Sequence, residues 1–361
     1  MTKILVAGDT KSSVRLEDGI QVDLRVVPGE VWGAALLYFT GSKDHNVALR
    51  ERAIGRGFRL NEYGLFPDDG ESGPPQQRGV TAIASVTEAD IYQALDLPWI
   101  PPELRVDRGE FDLEMPEDLI TVEAIRAELH SHTTASDGRL TIDELAVAAR
   151  GAGRTVLAIT DHSRSSPQAN GLDETRLRDH IEAIHEADAR IDGILLLAGS
   201  EVDIHINGSL DYSDDVLAML DVVVASPHAS LRQDPEAATA RLCAAARHPL
   251  VSIIGHPTGR LIGTRKGLEP DFEQLIAAAN EGGTALEINS NPYRLDLRDI
   301  HVRAAVDAGC LISINTDAHR GEHLDFIRYG VMTGRRGRLR IPGCINAWPE
   351  EQLLEWLARN R

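Results

Sequence analysis

The feature that most constrains this chain is a regular alternation of short apolar runs and amphipathic stretches from about residue 125 onward. Seven runs read as buried strands: Glu128–His132, Thr155–Thr160, Ile194–Ser200, Val222–Ser226, Val251–Gly255, Ala285–Asn289 and Leu311–Asn315. Five stretches between them have helical periodicity: Thr141–Arg150, Asp173–Arg190, Pro235–Arg247, Pro270–Glu281 and Asp299–Ala308. Strands that alternate with helices predict βα units and a parallel sheet. Seven strands favour a barrel of the TIM kind with one unit fewer, and an open doubly wound sheet is the alternative.

Imidazole and carboxylate groups follow almost every one of these strands, always on its C-terminal side. In chain order they are His130, His132, Asp137, Asp161, His162, Glu201, His228, His256, Glu287, Asn289, Asp317 and His319. Active sites of parallel barrels lie at this edge, and imidazole together with carboxylate suits zinc, manganese and iron. A single histidine at a strand end is more often structural, but the joint pattern predicts a metal site.

Composition limits the protein class. The 361 residues carry a formal net charge of −19, which opposes tight non-specific binding to nucleic acid. The three cysteines, Cys243, Cys310 and Cys344, are far apart and form no metal or disulfide pattern. No apolar run approaches the ~18 residues that span a bilayer. These features predict a soluble cytoplasmic protein without a membrane partner, and they leave its oligomeric state open.

The motifs ELHSHTTASDG, ITDH, GSE, SPH, GHP and NTDAH resemble, in this order, those of the PHP (polymerase and histidinol phosphatase) family. The resemblance covers about residues 125–345. It implies an α/β fold with a distorted (β/α)7 barrel. It also implies phosphoester hydrolysis with three divalent metal ions, of which manganese and zinc are the first candidates and iron another.

The same resemblance implies a ligand set for each ion. The first ion is expected to bind His130, His132, Glu201 and Asp317. The second ion is expected to share Glu201 and to add His228 and His319. The third ion is expected to bind Asp137, His162 and His256. All nine positions carry residues that can bind metal, which favours an active enzyme.

Close metal ions suit hydrolysis by an activated water, without a serine or cysteine nucleophile. Asp161 is a candidate catalytic residue that could supply a proton to the leaving oxygen, although orienting a histidine ligand is its favoured role. The loop HPTGRLIGTRKG carries Arg260, Arg265 and Lys266, which are candidates for binding substrate phosphate together with Arg164. Arg260 is also a candidate catalytic residue. A solvated basic loop is the alternative interpretation.

The N-terminal third has a different pattern, with strand candidates Ile4–Ala7 and Ile20–Val27 and a helix candidate Asp44–Arg56. Its segments GDTKSSVRLEDGIQVDLRVV and ALLYFTGSKDHNVALRERAIGRGFRLNEYGLF resemble the end of the palm and the thumb of family X DNA polymerases. Bacterial members join this polymerase to a C-terminal PHP domain. We therefore predict a palm remnant at 1–40, a thumb-like subdomain at 41–105, a linker at 106–124 and the PHP domain at 125–361.

The polymerase resemblance also implies roles for particular side chains. Asp23 corresponds to a third catalytic carboxylate, and the nucleotide and template contacts would come from Arg25, Tyr38, Phe39, Gly41, Asn46 and Arg50. The family's other two catalytic carboxylates lie upstream of the first residue of this chain. We therefore expect an N-terminally truncated polymerase with an exposed sheet edge and no polymerase activity in this chain alone.

Three functions remain in competition. The leading hypothesis is a 3′→5′ exonuclease that removes nucleotides from single-stranded DNA or from a DNA 3′ end. The second is a phosphomonoesterase of the histidinol-phosphatase type that acts on a small metabolite. The third is a DNA-binding module without catalysis, which the acidic charge and the complete ligand set disfavour.

Overall fold

The computed structural model describes residues 3–112 and 114–359, and the chain divides into two compact units between Met115 and Pro116. This boundary lies inside the segment predicted as a linker. The segment is packed on both sides of the boundary, since Glu110 and Phe111 are buried before it and Ile120 is buried after it. The domain limits given above stay a prediction.

The N-terminal unit begins with a three-stranded antiparallel sheet in the order β1–β2–β3. The strands are β1 Lys3–Ala7, β2 Lys11–Arg15 and β3 Gln21–Arg25. Sequence reasoning missed β2, because KSSVR has no apolar run that would mark a strand. Ile4 and Leu24 are 57% and 62% exposed, so within the described residues this sheet buries little apolar surface.

Helices and a hairpin complete this unit. The helices are α1 Trp32–Thr40, α2 Lys43–Gly55 and α3 Glu88–Ala94, and the hairpin pairs β4 Phe58–Asn61 with β5 Gly64–Pro67. The hydroxyl of Ser42 caps α2 by accepting from the backbone amide of His45. A capping box between Thr87 and Asp90 starts α3.

A buried polar network holds the end of this unit together. His45 Nδ1 lies 2.8 Å from Glu110 Oε1, and His45 Nε2 lies 2.8 Å from the hydroxyl of Tyr92. The imidazole stacks on Phe111 with ring centroids 4.7 Å apart. Glu110 also accepts from two backbone amides that precede it. The network therefore joins α2, α3 and the segment before the boundary, and each buried polar group in it has a partner.

The Glu110 carboxylate makes the stability of this unit dependent on pH. Burial raises the pKa of Glu110, but hydrogen bonds from His45 and the backbone amides outweigh burial and lower it to about 2. A lowered pKa stabilises the fold above the unfolded value of about 4.5, and this contribution is lost as pH falls toward 2. We measure the free energy of unfolding of wild type and of Glu110→Gln in urea. The amount by which the wild-type value exceeds that of Glu110→Gln should decrease by about 3 kcal/mol between about pH 5 and pH 2. The exposed variant Glu51→Gln is the control, and an equal change in both variants would contradict the prediction.

The C-terminal unit is a parallel seven-stranded sheet whose strands lie side by side in chain order. They are β6 Ala127–Glu128, β7 Val156–Ile159, β8 Leu195–Asp203, β9 Val222–Ser226, β10 Ile253–Ile254, β11 Ala285–Asn289 and β12 Ile312–Asn315. The sheet nearly closes on itself, because a parallel bridge joins Ser131, after β6, to Ala318, after β12. The predicted distorted (β/α)7 barrel is confirmed, and the open doubly wound alternative is wrong.

Helices surround the strands. They are α4 Ile142–Gly151, α5 Glu174–Asp188, α6 Asp214–Leu217, α7 Pro235–Ala246, α8 Phe272–Gly282, α9 Asp299–Asp307, α10 Ile327–Arg336 and α11 Glu350–Ala358. The five predicted helices correspond to α4, α5, α7, α8 and α9. None of the helices in the described residues is long and apolar enough to cross a membrane.

Both faces of the strands are buried, and alternation along each strand separates two apolar layers. Val222 and Val224 belong to one layer, whereas Val223 and Ala225 belong to the other. Leu353 of α11 packs into the first layer. This packing makes the barrel a rigid support for the loops that follow its strands.

Candidate metal centre

The candidate ligands converge on the carboxylate of Glu201, which lies in β8 and is 1% exposed. The shortest distances from its oxygens to imidazole nitrogens lie between 2.9 and 3.6 Å. They involve His162 at 2.9 Å, His256 at 2.9 Å, His228 at 3.1 Å, His130 at 3.3 Å and His132 at 3.6 Å. A carboxylate with so many imidazole neighbours is placed to bridge metal ions.

Asp317 completes one side of this cluster. Its Oδ1 lies 3.0 Å from His132 Nε2 and 3.7 Å from His130 Nε2. The structure thus brings together the four residues expected around the first ion. Asp317 has a φ of 54° and His256 a φ of 23°, in a backbone region that non-glycine residues seldom adopt. Such strained conformations occur where the surrounding structure over-determines them, often at functional sites.

Asp137 forms the other side of the cluster. Its Oδ1 lies 3.3 Å from His319 Nε2 and 3.6 Å from His162 Nε2. Together with His132, these residues form a group whose ligand atoms all lie within 4.8 Å of one another. The side chain of Asp137 is 35% exposed, so this side of the centre is open to solvent.

The grouping of side chains by distance differs at two histidines from the ligand division expected for the second and third ions. His256 lies beside Glu201 and not with Asp137, whereas His319 lies beside Asp137. The strand order explains the exchange. β10, which precedes His256, is the neighbour of β9, and near closure of the barrel brings the end of β12 beside the end of β6.

The chemistry of the donor atoms fits divalent metal ions. Six of the nine candidate ligands have buried nitrogen or oxygen atoms without a hydrogen-bond partner among the described residues: His130, His132, His162, Glu201, His256 and Asp317. Unpaired buried polar atoms are costly, and metal coordination would satisfy them. Burial and the neighbouring His319 and His162 lower the pKa of His132 to about 4, which keeps this imidazole neutral, as ligation requires.

Two carboxylates orient histidines without facing the centre themselves. Glu287, named above as a potential ligand, lies 2.8 Å from His130 Nδ1 and accepts from the backbone amide of His256 at 2.6 Å. Asp203 lies 2.9 Å from His228 Nδ1. Each contact leaves Nε2 of the histidine for a metal ion. Sequence reasoning missed Asp203, although its position two residues after Glu201 in β8 placed it on the same face.

The Asp161 carboxylate is hydrogen-bonded to a neighbouring loop. Its two oxygens accept from the backbone amides and hydroxyls of Thr133 and Ser136, and His180 Nε2 lies 2.8 Å away. Burial raises the pKa of Asp161, but the contact with His180 and the other hydrogen bonds hold it below its ordinary value. The Asp161 side chain therefore fixes the loop between His132 and Asp137, and its backbone carbonyl accepts from the amide of Glu201 at 3.2 Å.

Two of the four predicted phosphate-binding residues are occupied by neighbouring acidic groups. Arg164 donates to the backbone oxygen of Asp211 at 2.7 Å, and its Nε lies 3.2 Å from the Asp211 carboxylate. The predicted contact between Arg164 and substrate stays a prediction. Lys266 is exposed and donates to Glu269 at 2.7 Å.

The other two basic residues hold backbone in place. Arg260 donates through Nε to the carbonyl of Arg294 at 2.7 Å and through Nη2 to the carbonyl of Leu295. Arg265 donates through Nε to the carbonyl of Gly259 at 2.9 Å. Arg260 therefore braces the loop after β11, and the catalytic role expected for it stays a prediction.

Arg294, on that braced loop, is the basic residue that sequence reasoning missed. Its Nε lies 4.0 Å from Asp317 Oδ2, and its side chain is 20% exposed. It follows β11 by five residues, on the same edge of the barrel as the other strand-end residues. A search for arginines after every strand, and not only in the glycine-rich loop, would have found it.

The polymerase-like positions lie together within the N-terminal unit. Asn46 Nδ2 donates to the carbonyl of Tyr38, and the guanidinium of Arg25 lies 5.5 Å from the ring centroid of Phe39. Arg50 Nε donates to the carbonyl of Asn46. Gly41, between these segments, has a φ of 71° and ends α1.

Asp23 is placed apart from other carboxylates. It accepts hydrogen bonds from Ser13 and Gln21, and the Ser13 contact in particular lowers its pKa. No group of potential metal ligands in the described part of the chain includes it.

Comparison with known proteins agrees with this division. The DNA polymerase beta thumb family matches residues 35–106, and the PHP domain family matches residues 128–291. The protein of Bacillus subtilis (strain 168) named DNA polymerase/3′-5′ exonuclease PolX is 41% identical over 360 residues, which are 99% of this chain. The chain thus carries a PHP domain and a polymerase beta thumb, and over almost its whole length it resembles a protein of the PolX type. It spans 62% of the length of the Bacillus subtilis protein.

Other relatives match about half of the chain. A protein of Caldanaerobacter subterraneus subsp. tengcongensis named a probable phosphatase is 30% identical over 203 residues, 53% of this chain and 75% of that protein. The crystal structure of histidinol phosphate phosphatase from Lactococcus lactis, complexed with zinc, L-histidinol and phosphate, has a TM-score of 0.47 and 18% identity. It covers 60% of this chain and 94% of that one. By family and donor set, the PHP domain is a metal-dependent phosphoesterase.

Glu287 offers a direct test of how the centre is oriented. In Glu287→Gln, an amide would face the three donors His130 Nδ1, Asn315 Nδ2 and the His256 backbone amide, so one donor would lose its acceptor. We expect the affinity for manganese or zinc to fall about 10- to 100-fold, measured by titration in a metal buffer. The surface variant Glu273→Gln on α8 should bind as wild type does. Equal affinities of the two variants would show that Glu287 does not tune the centre.

Proposed function

We propose that this protein is a 3′→5′ exonuclease that hydrolyses phosphodiester bonds of DNA at the PHP metal centre. The convergence of nine imidazole and carboxylate side chains on one barrel edge, many with unpaired buried atoms, carries the proposal. The 41% identity to a protein named DNA polymerase/3′-5′ exonuclease supports DNA as the substrate. An enzyme that hydrolyses DNA ends would act in DNA repair, and we expect it in the cytoplasm.

The centre has donors for three divalent ions, with manganese or zinc as first candidates and iron as another. We assign the ligand groups by distance, so that His256 and His319 exchange the positions expected from sequence. Four overlapping groups result: His130, His132 and Asp317; His130, Glu201 and His256; His162, Glu201 and His228; His132, Asp137, His162 and His319. Bound ions would supply Lewis-acid stabilisation of the phosphoryl oxygens and a water of lowered pKa.

The protein's own side chains position the substrate around that chemistry. Arg294, 4.0 Å from Asp317, is placed to donate to a non-bridging oxygen of the scissile phosphate. Glu287 and Asp203 hold His130 and His228 in the orientation that ligation requires. In the N-terminal unit, Tyr38, Asn46 and Arg50 are proposed DNA contacts because they match thumb positions.

A phosphomonoesterase that acts on a small metabolite is the second candidate. The observation in its favour is that a relative matching 53% of this chain, at 30% identity over 203 residues, is named a probable phosphatase. The same ligand set serves both reactions, so the two candidates differ in the substrate that reaches the centre.

The test is manganese-dependent shortening of a 5′-labelled single-stranded oligonucleotide, with p-nitrophenyl phosphate assayed in parallel. We expect wild type to give a ladder of shortened products, and the double variant His132→Ala/Asp317→Ala to give none because it loses two ligands. His248→Ala, which removes a histidine that pairs with Asp214 away from the centre, is the matched control.

Each outcome has a distinct meaning. Phosphate release from monoesters without DNA shortening would replace the nuclease by the metabolite phosphatase. Shortening that persists in the double variant would place the nuclease outside the PHP centre. Inactivity of the metal-loaded protein on both substrates would contradict both candidate functions.

Arg294 provides a separate prediction about substrate binding. Arg294→Ala should lower kcat/KM for the oligonucleotide about 100-fold, since one charge-bearing donor to the phosphate is lost. The bound metal content, measured by mass spectrometry, should stay unchanged. Arg303→Ala removes an arginine that pairs with Asp307 on α9 and should leave both quantities as in wild type. Loss of metal in Arg294→Ala would show that Arg294 supports the ligands and not the substrate.

A further inference from the structure

Beside the metal centre lies a cavity of about 720 Å³, which we call the basic cavity. It lies between the loop 258–272 that follows β10 and the start of α9. Its first lining residue, Thr258, lies two residues after the candidate ligand His256. The side chain of Arg260, which lines the cavity, donates to the carbonyl of Arg294, so the cavity lies close to the proposed phosphate contact.

The cavity concentrates positive charge in an otherwise acidic protein. Its lining includes four basic side chains, Arg260, Arg265, Lys266 and Arg298, but only one acidic side chain, Glu269. The chain as a whole carries a formal charge of −19. Arg298 is exposed, and its side chain makes no hydrogen bond or ion pair to the residues that the structure describes. A local field of this sign attracts a phosphate-bearing ligand.

Flat aromatic surface accompanies this charge. Phe272 and His301 both line the cavity and stack with ring centroids 3.5 Å apart. Burial, followed by the charges of Arg298 and Arg260, lowers the pKa of His301 to about 4, so this ring is neutral at neutral pH.

A further aromatic ring stands at the rim. Tyr293 is 71% exposed, and its backbone carbonyl accepts from the amide of Ile262 at 2.7 Å. Its neighbour Arg294 is held by Arg260. The rim therefore presents an exposed ring on an anchored backbone, between the metal centre and the cavity loop.

We propose that the basic cavity and Tyr293 form a subsite for a retained nucleotide of single-stranded DNA, whose 3′ end lies in the metal centre. Cationic grooves combined with aromatic rings bind single strands without sequence preference, through the phosphate backbone and base stacking. This inference rests on the proposed function. It specifies where the protein binds the part of the strand that remains after a nucleotide has been removed from its 3′ end. A strand of several nucleotides would reach the cavity, whereas a dinucleotide would be confined to the metal centre.

The test compares substrates of different length in metal-loaded protein. In Arg298→Glu and in Tyr293→Ala, we expect KM for a 12-nucleotide strand to rise about tenfold, and KM for a dinucleotide to change less than about twofold. For Arg298→Glu, the dependence of log KM on log salt concentration should also weaken by about 0.7, the value for one lost phosphate contact on a single strand. Arg303→Glu on the same helix is the matched control and should leave KM unchanged for both lengths.

Failure of this inference can be separated from failure of the proposed function. If wild type shortens DNA and both variants keep the wild-type KM at every length, the subsite is refuted while the nuclease stands. If wild type shortens no DNA, the nuclease is refuted, and fluorescence anisotropy of a labelled 12-nucleotide strand decides the subsite. Equal dissociation constants for Arg298→Glu and Arg303→Glu in that measurement would refute it, whereas weaker binding by Arg298→Glu alone would support it.

Discussion

Burial of the Glu201 carboxylate among five histidines is the constraint on which the C-terminal unit depends. Glu201 and its neighbours have polar atoms that are out of reach of solvent and lack hydrogen-bond partners among the described residues. Such an arrangement is costly unless metal ions compensate it. The two apolar layers of the barrel hold the strands in place. Because this framework is rigid, the unfavourable burial of polar atoms does not distort the site.

The surrounding carboxylates support different parts of this cluster. Glu287 and Asp203 orient histidines from behind, and Asp161 fixes the loop that carries Asp137. The arginines show a similar division, because Arg260 braces the loop on which Arg294 stands beside Asp317. Residues of the same type at the same barrel edge therefore serve different purposes, according to the partner that each one meets.

Much of the barrel and of the candidate ligand set could be predicted, because both depend on local pattern. Strand periodicity marks which segments are buried, and a ligand next to a strand end must lie at the barrel edge. The partners of Asp161, Arg164 and Arg260 could not be predicted, because they come from segments distant in sequence. Asp211, for example, lies 47 residues from Arg164. β2 was missed for another reason, since its residues have no apolar pattern.

The sequence by itself determined the seven strands and five of the helices between them, the imidazole and carboxylate groups at the strand ends, and the polymerase-like segment before them. These are properties of residue type and spacing, which the unfolded chain already contains. The tertiary structure decided which of these groups lie together, because near closure of the barrel places His319 beside Asp137 and leaves His256 beside Glu201. It also selected Arg294 over Arg260 as the arginine next to Asp317, since only folded loops determine which guanidinium is already bound to backbone carbonyls.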